Sequence, residues 1–152
     1  MNKPIATNKK AHRDYKILET MECGIELKGS EVKSLRAGRM NLDDSFARIE
    51  NNEVILYNAH ISPYLEASYL NVETKRPRKL LLRRNQISKL TGQVAQRGFT
   101  LVPLKSYFSE RGFAKIELAL CRGKKLYDRR EDMKRREAEM EMRRALKSRR
   151  RK

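Results

Sequence analysis

The composition of the chain breaks abruptly after Cys121, and that break limits how much of it can fold around a core. From Arg122 to Lys152 there are 15 Lys and Arg against 6 Asp and Glu. Besides two alanines, the apolar residues there are Leu126, Tyr127, Met133, Met140, Met142 and Leu146. So few apolar side chains cannot offset the entropy of ordering a segment on its own. The segment is a basic appendage, and the core belongs to the residues before it. The whole chain of 152 residues carries 36 Lys and Arg against 19 Asp and Glu, a formal net charge of +17. A charge this lopsided favours a polyanionic partner, because every phosphate neutralised releases condensed counterions. The expected organisation is a flexible basic arm over 1–12, a folded body over 13–122 and a basic tail over 123–152.

Within the body, the spacing of apolar residues points mainly to strands. Tyr15, Ile17, Met21, Cys23, Ile25 and Leu27 alternate with polar positions, the period of two of a half-buried strand, broken locally at Leu18 and Glu19. Ser30 opens a short helix through Val32 and Leu35, with Gly38 as its stop. Ser45 to Glu50 and Val54 to Ile61 flank Asn51-Asn52-Glu53, where asparagine tolerates the positive φ of a tight hairpin. A second helix is predicted from about Asn85 to Arg97 on the spacing of Ile87, Leu90, Thr91 and Val94, ending at Gly98. Phe99 to Phe108 and Phe113 to Cys121 read as a closing hairpin, with Ala114, Ile116, Leu118 and Leu120 on the buried face. The fold class expected is mainly β, a small antiparallel barrel of the oligonucleotide-binding (OB) type with two short helices, with an α+β sandwich as the alternative.

Several function classes drop out. Apolar runs such as Val54 to Tyr57 and Leu80 to Leu82 fall far short of the ~20 residues of a membrane helix. The basic start of the chain lacks the apolar stretch of a secretory signal, so a cytoplasmic protein is expected. Cys23, Cys121, His12 and His60 are too scattered for a zinc site. Both cysteines read as buried apolar residues, and neither a metal nor another cofactor is expected. Asp43-Asp44 is the only adjacent acidic pair in the body and suits turn or cap chemistry. No general acid and base pair can be assembled from the scattered carboxylates, so catalysis is not expected.

The run Leu27-Lys28-Gly29-Ser30-Glu31-Val32-Lys33-Ser34-Leu35-Arg36-Ala37-Gly38 resembles the signature of the small protein B family, the tmRNA-binding proteins of bacterial trans-translation. Arg78-Lys79-Leu80-Leu81-Leu82, the stretch Gly98 to Leu104 and Gly123-Lys124-Lys125-Leu126-Tyr127-Asp128-Arg129-Arg130 agree with it in order and spacing. The resemblance implies a barrel that grips the tRNA-like domain of tmRNA and delivers it to a ribosome stalled on a truncated message. It further implies a tail lying in the decoding centre and vacant message channel, disordered when free and helical on the ribosome. Alanyl-tmRNA with elongation factor Tu is the implied companion, and the chain is expected to act as a monomer.

Family contact positions map onto Glu22, Arg36, Leu81 and Lys115. Each has a second reading. Glu22 either faces a base edge or a 2′-hydroxyl, or pairs with a neighbouring lysine. Leu81 is either core or an exposed contact to an unstacked base. Arg36 is either an RNA contact or part of a solvated helix face. Lys115 either meets RNA or pairs across the sheet. The polar loop before the leucine run concentrates Lys75, Arg76, Arg78 and Lys79, which are expected to follow a phosphate backbone collectively, and Lys124 and Lys125 extend that role to the junction. In the tail, Tyr127, Asp128, Arg129, Arg130, Lys134, Arg135 and Arg136 are the expected ribosome-contacting residues. Asp128 and Glu131 suit a capping box, and Glu139 with Arg143 is an i,i+4 pair. Two departures from the family pattern stand out. Arg83 follows the leucine run where asparagine is usual, and Ala138 stands where some members carry tryptophan.

Overall fold

The computed structural model describes residues 3–64, 72–96, 98–123 and 135–147. Its longest strand, β2 (Tyr15–Ile25), shows how the sequence sets the architecture. Met21, Cys23 and Ile25 turn inward while Thr20, Glu22 and Gly24 face out. The break in the alternation at Leu18 is a β-bulge, where the register with the partner strand shifts between Ile17 and Glu19. The extra residue leaves Leu18 45% exposed and switches the odd positions from the outer face, where Tyr15 and Ile17 pack beside Cys121, to the interior, which Met21 and Cys23 face.

After α2 (Gly29–Arg36) and β3 (Met40–Asn41), β4 (Phe46–Glu50) and β5 (Glu53–Tyr57) form the expected hairpin. Asn51 and Asn52 have φ of 49° and 61°, the left-handed values that match a two-residue turn to strand twist. The predicted run to Ile61 is interrupted: Asn58 takes a φ of 63°, and His60–Ile61 form a separate strand, β6, paired with β3. β7 (Arg78–Leu81), α3 (Arg84–Val94), β8 (Phe99–Phe108) and β9 (Ala114–Gly123) complete the body.

All pairings are antiparallel. The order β8-β4-β5-β7-β2-β9 closes on itself because β9 also pairs with β8. A closed ring leaves no long edge for stray pairing. Its interior holds Cys23, Leu42, Val54, Leu56, Leu80, Leu101, Ile116 and Leu118, with Leu90 of α3 plugging the side.

The amino-terminal residues depart from the expected flexible arm over 1–12. Ala6–Thr7 form β1, paired with β8 at Ser106 and Lys105. Lys9–Asp14 form α1. Asn8 caps it: its buried side chain accepts the Ala11 N–H at 3.1 Å and donates to the Pro103 carbonyl at 2.9 Å. A short polar segment is held here because a single asparagine satisfies both the helix start and the sheet.

Docking of α1 also explains why β9 is not simply wet on one face. Ile116, Leu118 and Leu120 line the main core as their alternation predicts, but Ala119 and Cys121 are buried too. They join Val102, Leu104 and Ala11 in a second cluster beneath α1. Burial pushes both thiols up to about 12, which keeps them protonated and unreactive at neutral pH. In the tail a helix spans residues 135–147 with every residue exposed, so it is supported by local propensity and not by packing on a core.

Candidate nucleic-acid interface

The ring's register brings residues from β8, β9, β2 and β7 into one row. Tyr107 pairs with Lys115, Lys115 with Gly24 and Gly24 with Leu81. Residues in one row of a twisted sheet share a face, here the outer one. Gly24 is the low point. A β-carbon placed there would lie 3.2 Å from the Leu81 Cβ and 3.3 Å from its Cδ1. The missing side chain lets Leu81 lean over β2 while staying 50% exposed.

Glu22 is two residues back on the same face of β2. Its carboxylate accepts a hydrogen bond from the Tyr107 hydroxyl at 2.5 Å and sits 4.0 Å from Lys115 Nζ. Glu22, Gly24, Leu81, Leu82, Arg83 and Lys115 line a depression of about 590 Å³. It shares Leu81 and Leu82 with a larger groove of about 930 Å³ that runs between the Asn51-Asn52 turn and α3, past Arg84 and Ser88. A half-exposed leucine between a carboxylate and flanking cations suits an unstacked nucleotide. Leucine covers an apolar face, lysine and arginine take phosphates, and the carboxylate accepts from base or ribose donors.

Three of the candidate residues, Glu22, Leu81 and Lys115, therefore converge. Arg36 stands apart, exposed in the last turn of α2 with Lys33. Lys75 is exposed in the loop before β7, and Lys79 pairs with Glu53 at 3.3 Å.

Arg78 is a correction. Its side chain is 1% exposed, so it cannot reach a phosphate. Its Nε bonds Glu31 Oε2 at 2.5 Å. Its other nitrogens donate to the Ala59 carbonyl at 2.7 Å and the Thr74 carbonyl at 3.0 Å. Arg76 joins the same carboxylate through Nη2, 2.6 Å from Oε1, and is half-buried as a result. Glu31 also accepts the Lys28 N–H at 2.8 Å, closing the first turn of α2. Burial alone would raise the Glu31 pKa, but the bonds from Arg76, Lys28 and Arg78 together hold it below the ordinary carboxylate value. Two of the four loop cations expected to follow RNA, Arg76 and Arg78, are thus structural, because the buried glutamate at the start of α2 needs a countercharge. The period-two pattern could have flagged Arg78, which is in phase with the buried Leu80.

Tyr107 and Gly24 are the site residues that sequence reading missed, since only the strand register brings Tyr107 beside Glu22 and sets Leu81 over Gly24. Lys124, Lys125, Tyr127, Asp128, Arg129, Arg130 and Lys134 lie outside the described residues. Arg135 and Arg136 lie in the tail helix and are exposed. Among the described residues no helix is long and apolar enough to cross a membrane, and no group of His, Cys, Asp and Glu is placed to hold a metal ion.

The chain is similar to known proteins over most of its length. The SsrA-binding protein of Caldicellulosiruptor bescii is 58% identical over 145 residues, 95% of this chain and 91% of the relative. That of Carboxydothermus hydrogenoformans is 57% identical over 149 residues, 98% of this chain and 99% of its own length. A chain from the solved structure described as "tmRNA-SmpB: a journey to the center of the bacterial ribosome" superposes with a TM-score of 0.66 at 56% identity, covering 78% of this chain and 82% of that one. The family model for the SmpB protein matches residues 5–148, and with relatives of this identity along almost its whole length the chain belongs to the SmpB family.

Proposed function

We propose that this chain is the tmRNA-binding protein of trans-translation in its host. The barrel grips the tRNA-like domain of tmRNA and carries it to ribosomes stalled on truncated messages. The observation that carries this reading is the convergence of Glu22, Leu81 and Lys115 on one outward groove. A nonspecific binder needs only cations. A carboxylate held by a tyrosine beside Lys115 and Arg83 instead rejects bare phosphate and selects donors. The role is that of an adaptor and not of an enzyme, exercised by a monomer in the cytoplasm, on alanyl-tmRNA accompanied by elongation factor Tu.

The tail has the second job. Its helix over residues 135–147 exposes Met140, Met142 and Leu146 together with its cations, a surface suited to a phosphate-lined channel that stabilises the charge and covers the few apolar groups. Tyr127, Asp128, Arg129 and Arg130 then act in the decoding centre, and Lys134, Arg135 and Arg136 in the message channel.

Recovery of RNA with the full chain from cell extract at moderate salt tests the reading. Enrichment of tmRNA over bulk tRNA is expected, whereas recovery in proportion to abundance would reduce the chain to a general RNA binder.

A further inference from the structure

Glu22 and Glu117 are direct partners across β2 and β9, a juxtaposition that sheets avoid because facing like charges destabilise the ladder. Each has a lysine nearby, but unequally. Lys105 Nζ is 3.3 Å from Glu117, while Lys115 Nζ is 4.0 Å from Glu22. Glu22 is therefore weakly paired and 57% exposed, yet it is not loose, because the Tyr107 hydroxyl donates to its Oε2. Burial, then the bond to Glu22, raises the Tyr107 pKa, so the hydroxyl remains a donor. Beside this pair opens a depression of about 600 Å³, lined also by Glu110, Arg111, Phe113 and Lys115; of its two carboxylates only Glu22 is held by the Tyr107 hydroxyl. Phe113 is 64% exposed, the most exposed aromatic of the described body residues.

A carboxylate offers two acceptor oxygens with about four lone-pair sites, so with one occupied by Tyr107 both oxygens can still accept. The Watson–Crick edge of guanine presents two adjacent N–H donors. The same edges of adenine, cytosine and uracil set an acceptor beside the donor, which a carboxylate repels. We propose that this depression is a pocket for one unpaired guanine. Phe113 stacks on the base, Glu22 accepts from its edge, Tyr107 is the positioning residue that aims Glu22, and Arg111 and Lys115 meet the flanking phosphates. The pocket rests on the RNA-binding reading above and gives it a base-specific element.

The test uses the full chain and a stem-loop RNA with one guanine in a uridine loop, compared with adenine or inosine at that position. Loss of a charge-assisted hydrogen bond is worth about tenfold or more, so the wild type should prefer guanine to adenine by about tenfold, with inosine between. Glu22→Gln and Tyr107→Phe should each bring the ratio to within about twofold. Tyr107→Phe made in the Glu22→Gln background should add nothing further. Phe113→Ala should weaken all three RNAs together, by roughly tenfold for a lost stacking contact. Glu22 is exposed, so its substitution leaves the core intact, and circular dichroism melting confirms the fold of each variant. A wild type without base preference would overturn the pocket, as would a Tyr107→Phe effect that persists without Glu22. If that result came with retained tmRNA selectivity, only the pocket would fall. A chain that bound no RNA would remove both readings.

Discussion

Replacing Glu31 by glutamine should unfold the body well before any surface change would. The carboxylate is 3% exposed and Arg78 1% exposed, so neutralising Glu31 leaves a buried guanidinium with only the Ala59 and Thr74 carbonyls and no countercharge. Removing one partner of a buried pair costs about 3–5 kcal/mol. The amide oxygen can keep the bond from the Lys28 N–H though not also that from Arg78, and Arg76 can turn toward solvent, so the lower end applies, about 3 kcal/mol. A chain of this size loses roughly 2–4 °C per kcal/mol, giving a fall in Tm of roughly 6–12 °C. Urea denaturation followed by circular dichroism measures the free-energy loss and a thermal melt the fall in Tm. The paired substitution Glu31→Leu with Arg78→Met removes both charges and should recover much of the loss, since a well-packed apolar pair often replaces a buried ion pair at little cost. The same bonds set the pH dependence. The folded Glu31 pKa lies below its unfolded value, so the stabilisation is complete above the ordinary carboxylate pKa and disappears as pH falls through the folded value. Wild type should therefore lose stability on acidification more steeply than Glu31→Gln. A cost below about 1 kcal/mol, typical of exposed pairs, would refute the buried network.

Gly24→Ala should weaken tRNA-like RNA binding several-fold in a filter assay while leaving the urea midpoint nearly unchanged, because the new methyl displaces Leu81 but lowers backbone entropy in the unfolded chain. Asn8→Ala should cost about 1–2 kcal/mol through loss of the α1 cap, and should expose the Cys121 thiol to alkylation as the second cluster opens. Truncation after Gly123 should leave a folded body that still selects tmRNA, yet abolish addition of the tag in a reconstituted translation reaction.

The strands were legible because each buried face has one side chain every second residue, and even the Leu18 interruption marked a real bulge. Asn51-Asn52 announced its turn for the same local reason. What stayed hidden depends on distant partners. The helix at Lys9–Asp14 is too short to show a period, and its cap works through Pro103 on the far side of the sequence. Arg78 reads as surface because its neighbours in sequence are cations, whereas its neighbour in space is Glu31. Glu22, Leu81 and Lys115 were found through family resemblance. Their meeting point at Gly24, and the contribution of Tyr107, needed the register of the closed ring.

The central claim is that selectivity resides in the groove around Gly24 and affinity in the surrounding cations. It is tested most directly by measuring, for wild type and for the double substitution Glu22→Gln with Leu81→Ala, the ratio of affinities for the tRNA-like domain of tmRNA and for an elongator tRNA across a salt series. The expected result is a wild-type preference that largely vanishes in the variant, while the logarithmic salt slope, about 0.7–0.9 per phosphate contact, stays the same. A variant that keeps the preference, or loses it only together with the salt slope, would contradict the account.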